Sequence, residues 1–206
     1  MTATTHLPSA LFLLDYFGIA VFAVSGALVA AKRRTDLVTF VLFAVVTGVG
    51  GGTLRDLLIG APVFWVRANA TLVICMAAAL LVWIDRRRWL TGRAVLWFDA
   101  AGLAAYSAYG AAKALGYGVA PVPAFVMGVL TACAGGIIRD VLADEPSIVL
   151  RREIYITAAA LAAALFVGLD LLGVSTWIAA GVAIAAGFAL RAVAIARGWS
   201  LPIYNG

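Results

Sequence analysis

Two segments of the chain, Gly51-Gly52-Thr53-Leu54-Arg55-Asp56 and Gly135-Gly136-Ile137-Ile138-Arg139-Asp140, repeat one pattern 84 residues apart, each inside a long apolar run. Glycines weaken a helix, and ionised side chains inside a membrane span are costly unless they pair or face water. A costly motif that occurs twice at one offset points to a path through the membrane built from both copies.

The setting is a membrane because 65% of the residues are hydrophobic and mean hydropathy is +1.06, against about 45–50% apolar residues in soluble domains. Seven runs approach the roughly 20 residues that a helix needs to cross about 30 Å of hydrocarbon. They lie near 10–31, 37–59, 66–84, 94–114, 119–142, 153–172 and 175–196. Lipid offers the backbone no hydrogen-bond partner, and these runs are too long for alternating barrel strands, so they read as helices. The expected fold is all-α: one transmembrane domain over residues 1–206, with no soluble domain beside it. The N-terminal residues carry no Lys or Arg before the first run, unlike a cleaved signal peptide, so the first helix is expected to be retained.

A net charge of +5 does not call for a nucleic-acid partner, because the basic residues sort by side. Lys32, Arg33, Arg34, Arg86, Arg87, Arg88, Arg93, Arg151, Arg152, Arg191 and Arg197 fall on one face of the seven-span map, and only Arg67 and Lys113 on the other. The positive-inside rule then predicts an outside N-terminus and a cytoplasmic C-terminus. Trp65, Trp83, Trp89, Trp97, Trp177 and Trp199 all fall near span ends, where indole rings anchor at headgroup level. Cys75 and Cys133 read as small apolar fillers rather than a disulfide, and His6, the single histidine, as a solvated side chain. With no histidine in a span and no nucleophile-base or metal-ligand spacing, an enzyme is not expected.

The repeat extends well beyond the motif. An offset of 84 aligns Asp15 with Asp99, Gly18 with Gly102, Gly26-Ala27 with Gly110-Ala111, Thr47 with Thr131, Leu58 with Leu142, Pro62 with Pro146 and Arg67 with Arg151. Repeat one covers about 10–84 and repeat two about 94–172, with a seventh helix at about 175–196. Three spans per copy is an odd number, so the copies are inverted in the membrane. Inverted repeats of this kind place their sites between the copies, on interrupted helices.

Gly48, Gly50, Gly51 and Gly52 crowd one helix, and Gly135 and Gly136 give its counterpart a milder version. Each glycine costs about 1 kcal/mol of helix propensity, which predicts kinks in helices 2 and 5. Carbonyls freed near Gly50 and Gly51 would suit K⁺ or Na⁺. The alternative use of such glycines is close helix packing. Arg55 and Arg139 sit toward opposite membrane faces, where they serve either as a brace, Arg55 to Asp140 and Arg139 to Asp56, or as guards of a pore. Asp15 and Asp99 lie one turn inside their helices and are placed to meet the arginines. Four aspartates and two arginines would give a shared path a net charge of −2, which favours cations. Lys113 is expected to be a snorkelling anchor, with a plug at the pore mouth as its other reading. Ala179, Ala183 and Gly187 form a small-residue stripe suited to packing the seventh helix.

The two Gly-Gly-x-x-Arg-Asp motifs and the three-plus-three-plus-one arrangement resemble the prokaryotic TRIC family, the trimeric intracellular cation channels, over about residues 10–197. The resemblance implies a homotrimer in the bacterial inner membrane with a K⁺- and Na⁺-conducting pore in each protomer, passing the bends of helices 2 and 5. It carries over to Gly50, Gly51, Gly52, Arg55, Asp56, Gly135, Gly136, Arg139 and Asp140. No cofactor is implied beyond the permeant ion, and membrane lipids are the expected surroundings. The inverted repeat accommodates a secondary transporter for a small solute such as glycine equally well.

Overall fold

A computed structural model describes residues 9–84, 93–150 and 153–202. The expectations placed on His6, Arg86, Arg87, Arg88, Trp89, Arg151 and Arg152 fall outside these residues. Seven helices account for most of the rest: α1 Ser9–Lys32, α2 Leu37–Leu58, α3 Asn69–Ile84, α4 Ala94–Gly116, α5 Pro121–Leu142, α6 Ile156–Leu171 and α7 Thr176–Arg197. Among the described residues the β content is one isolated bridge, Glu153 to Ser200.

Local chemistry sets the helix ends. Asp36 caps α2 by accepting from the Thr39 amide at 2.9 Å, Pro121 opens α5 where no amide is needed, and Gly198 closes α7 in the left-handed region. The two copies share their irregularities. A 3-10 segment precedes α3 at Phe64–Arg67 and α6 at Ile148–Leu150. The turns after α2 and α5 both enter positive φ, at Gly60 (68°) and at Asp144 (49°), which are 84 residues apart.

One expectation changes in form. Leu37–Leu58 and Pro121–Leu142 are helical throughout, so the glycines do not interrupt the hydrogen-bonded ladder. Glycine costs a helix about 1 kcal/mol, chiefly through the backbone freedom it gives up. Opening the ladder in lipid would leave backbone groups unpaired at several kcal/mol each, so the helix persists.

α4 lies at the centre. From Asp99 to Ala114 all but one of its residues are buried, against α1, α5, α6 and α7. Its Ala and Gly surface lets the neighbours close in. α1 packs on α4 and α2 on α5, so like helices of the two copies meet. α7 closes the bundle through the expected stripe: Ala179 and Ala183 are fully buried, and a Cβ on Gly187 would stand 2.8 Å from that of Ala162 on α6. Cys75 and Cys133 are free and buried.

Outward faces are apolar, with Leu57, Leu81, Ile84, Val122, Val141, Leu171 and Ile178 all exposed, as lipid contact requires. Trp83, Trp97, Trp177 and Trp199 are exposed near helix ends. The ends themselves differ. At one, here the basic end, Lys32 pairs with Glu145 at 2.7 Å, and Arg93 and Arg191 line a cavity with Glu153. Gly60, Arg67 and Lys113 mark the distal end.

Candidate functional site

Packing around the glycines follows the 84-residue offset. A Cβ on Gly51 would overlap the Thr131 carbonyl oxygen, and one on Gly135 would stand 2.5 Å from the Thr47 carbonyl oxygen. Gly18 accommodates the ring of Tyr106, and Gly102 that of Phe22, the two rings meeting at 5.4 Å between centroids. Gly26 lies against the Thr47 hydroxyl and Gly110 against the Thr131 hydroxyl. Each pair is the other's counterpart, which is the contact pattern that a two-fold relation between inverted copies produces. Gly51 and Gly135 act by close approach, with backbone of α2 against backbone of α5.

The two Arg-Asp pairs are buried at opposite ends of this packing. At the distal end Arg55 and Asp56 are each 0% exposed, and Asp56 Oδ1 accepts from Arg55 Nε at 2.9 Å with Nη2 at 2.8 Å. Asp56 Oδ2 accepts from the Phe64 amide at 3.1 Å. At the basic end Asp140 Oδ1 accepts from Arg139 Nε at 3.0 Å with Nη2 at 2.9 Å, and Oδ2 accepts from the Ile148 amide at 2.8 Å. Each aspartate thus anchors the turn after its own helix while holding its neighbouring arginine.

The expected brace between Arg55 and Asp140, and between Arg139 and Asp56, does not form: each arginine folds back onto the next residue of its own helix. The copies are tied by other contacts. Lys113 on α4 bridges both Asp56 oxygens at 2.8 and 3.0 Å and lies 5.7 Å from the Phe64 ring centroid. It is 6% exposed, so the snorkelling anchor is replaced by a buried ion pair. Arg139 donates to Ser25 on α1, and Arg55 stacks 5.0 Å from the Tyr109 ring centroid on α4.

The intramembrane aspartates also part company. Asp99 receives Arg139 Nη1 at 2.8 Å, as the sequence leads one to expect. Asp15 Oδ1 is buried without a hydrogen-bond partner, and the backbone carbonyl of Asp15 accepts from Tyr106 at 3.4 Å. The carbonyl ladder near Gly48, Gly50, Gly51 and Gly52 stays helical. The backbone oxygens pressed into the α2–α5 contact are those of Thr47 and Thr131.

Three offset pairs carry contacts that identity across the repeat does not reveal, because the copies differ there: Phe22 and Tyr106, Ser25 and Tyr109, and Val29 and Lys113, of which the sequence singles out Lys113 alone. Each pair is 84 residues apart, and reading the offset for non-identical residues would have found them. Arg191 reads in the sequence only as one of the basic-face charges. It is 1% exposed, donates to Glu153 at 2.5 Å and to the Ile154 carbonyl at 3.2 Å, and lies 5.4 Å from the Tyr155 ring centroid.

A protein-family model described as "Glycine transporter" matches residues 12–87 and again 96–170. A "UPF0126 membrane protein" of Vibrio cholerae is 47% identical over 156 residues, which cover 73% of the chain and 64% of that relative. The "UPF0126 inner membrane protein YadS" of Escherichia coli K12 is 45% identical over 148 residues, 70% of the chain and 72% of the relative. The crystal structure of a TRIC trimeric intracellular cation channel orthologue from Rhodobacter sphaeroides superposes with a TM-score of 0.87 at 46% identity, covering 93% of this chain and all of that one.

Proposed function

The chain belongs to the family that unites the TRIC channels with the UPF0126 membrane proteins, and from that premise we propose that it is a passive channel for K⁺ and Na⁺ with a separate path in each protomer. The path runs between α1, α2, α4 and α5. It enters from the basic end beside Asp140, passes Arg139, Asp99 and Ser25, crosses a waist at Thr47 and Thr131, and leaves past Asp15, Tyr109, Arg55 and Asp56. The observation that carries this reading is the mirrored pair of Arg-Asp clusters, buried at opposite ends of one interface with hydroxyls and backbone carbonyls between them. Buried charges and irregular polar groups at membrane depth are features of ion pathways.

The described conformation holds two constrictions. α2 and α5 touch through Gly51 and Gly135 at the waist, and the Lys113 ammonium occupies Asp56 at the distal mouth. When the helices separate, the carbonyls of Thr47 and Thr131 and those near Gly50 and Gly51 are the oxygens that a partly dehydrated K⁺ or Na⁺ would meet. Gly48 makes room beside this interface for Cys75 and Ile19, Gly52 for the Phe64 ring, and Gly136 for the Tyr155 hydroxyl and Asp99. While it sits there, the tethered cation repels other cations from the mouth.

The likeness to a solved trimeric channel supports a homotrimer, the inner-membrane relative supports the bacterial inner membrane, and the clustered basic residues support a cytoplasmic basic end with the N-terminus outside. Purified protein in liposomes should pass K⁺ downhill without a co-substrate and without saturating at low millimolar concentration. Saturable flux that requires an ion gradient and a solute such as glycine would establish a carrier instead.

A further inference from the structure

The two clusters contain the same three charges, one arginine and two aspartates, but differ by one cation. Asp15, Arg55 and Asp56 at the distal end sum with Lys113 to zero. At the basic end Asp99, Arg139 and Asp140 sum to −1, because the position equivalent to Lys113 is Val29. Among the described residues, Lys32 and Arg33 are the nearby cations. Both are turned to Glu145, at 2.7 and 3.7 Å, with side chains 56% and 41% exposed.

The surroundings of the two carboxylates are otherwise matched. Asp56 and Asp140 each hold the neighbouring arginine on Oδ1 and an amide eight residues on with Oδ2. At Asp56 the remaining approach is taken by an ammonium group touching both oxygens. At Asp140 the same approach is a cavity of about 130 Å³ lined by Val29, Lys32, Leu96, Arg139, Asp140 and Glu145. That space admits several waters, since about 10–15 Å³ suffices for one. Asp99, 1% exposed and joined to Arg139, keeps Oδ2 without a hydrogen-bond partner.

We propose that the cavity between Val29 and Asp140 is a binding site for a monovalent inorganic cation of about the size of an ammonium group, occupying the place that Lys113 fills in the other copy. K⁺ has the charge and nearly the size of that ammonium group. It brings the basic-end cluster to neutrality and leaves Arg139 on its two aspartates. Bound there, the ion stands at the cavity mouth of the path, so the site deepens and rests on the reading of the chain as a cation channel. The internal lysine makes the distal mouth self-sealing, whereas the basic end loads from solution.

Crystals soaked in Tl⁺, a K⁺ substitute with strong anomalous scattering, should show a peak against the Asp140 carboxylate. Melting should be higher in KCl than in N-methylglucamine chloride at matched ionic strength. Val29→Lys should remove both the peak and the K⁺ dependence by supplying its own ammonium, whereas Val29→Met, similar in bulk but uncharged, should retain the K⁺ dependence. No Tl⁺ peak at Asp140 overturns the site, as does a Val29→Lys protein that keeps it or a Val29→Met protein that loses K⁺-dependent melting. If Val29→Lys does not fold, the native peak and melting difference decide. Native flux separates the two levels: K⁺ flux without a Tl⁺ peak removes the site and leaves the channel, and a peak without flux removes the channel and leaves the site.

Discussion

Replacing Gly51 with Ala puts the added Cβ onto the Thr131 carbonyl oxygen, with the carbonyl carbon at 3.0 Å and Cα at 3.4 Å. All three are backbone atoms, so no rotamer change relieves the overlap. Heavy atoms of this kind rest at about 3.5–4.0 Å, and α2 and α5 must therefore part by roughly 1 Å or more. Overpacking of a close-packed contact costs about 1–3 kcal/mol, against a gain of about 1 kcal/mol in helix propensity. Gly181 on α7 isolates the second effect, because nothing lies within 4 Å of a Cβ placed there. Gly181→Ala should stabilise by up to about 1 kcal/mol, and Gly51→Ala should fall below it by the full overpacking cost, about 1–3 kcal/mol. Gly135→Ala should match Gly51→Ala, since its Cβ would stand 2.5 Å from the Thr47 carbonyl oxygen. Unfolding midpoints in one detergent compare the three variants. Equal stability of Gly51→Ala and Gly181→Ala would refute the close-approach account of the motif glycines.

At the distal mouth, Lys113→Met removes the ammonium group from Asp56. K⁺ flux in liposomes should rise several-fold, with a stability loss of up to about 3 kcal/mol, and unchanged flux in folded protein rules out Lys113 as a constriction. The unequal aspartates give a paired test. Asp99→Asn loses a charge-assisted bond from Arg139 and should cost about 1.5–3 kcal/mol, whereas Asp15→Asn breaks no direct ion pair, since Arg55 and Lys113 both bind Asp56, and should cost clearly less. Equal losses in denaturant midpoint would contradict the difference between the copies. Arg191→Leu frees Glu153 and the Ile154 carbonyl from α7. Hydrogen exchange at residues 153–155 should accelerate by about 10–100-fold, the equivalent of 1.5–3 kcal/mol, and unaltered protection there would show that this junction is held by other contacts.

Residue identities across the offset disclosed the architecture, because a three-helix unit that packs against its own inverted copy makes each contact twice and needs the small residue at both equivalent positions. Gly51 on Thr131 with Gly135 on Thr47, and Gly18 on Tyr106 with Gly102 on Phe22, are such matched contacts between the copies. The partners of the charged groups were not legible in the same way. An aspartate that follows an arginine can pair with it or with a group on another helix, and which it does depends on how closely the helices approach. Here α2 and α5 are held backbone to backbone at Gly51 and Gly135, while the arginines lie a helical turn beyond. Each folds onto its own neighbour and leaves the cross-contacts to Ser25, Tyr109 and Lys113. Those three positions are where the copies have diverged. Two identical mouths would bind the permeant ion equally. Replacing valine by lysine in one copy alone gives that mouth its own cation and leaves the other dependent on solution, so the direction built into this protomer resides in the residues that the repeat does not share.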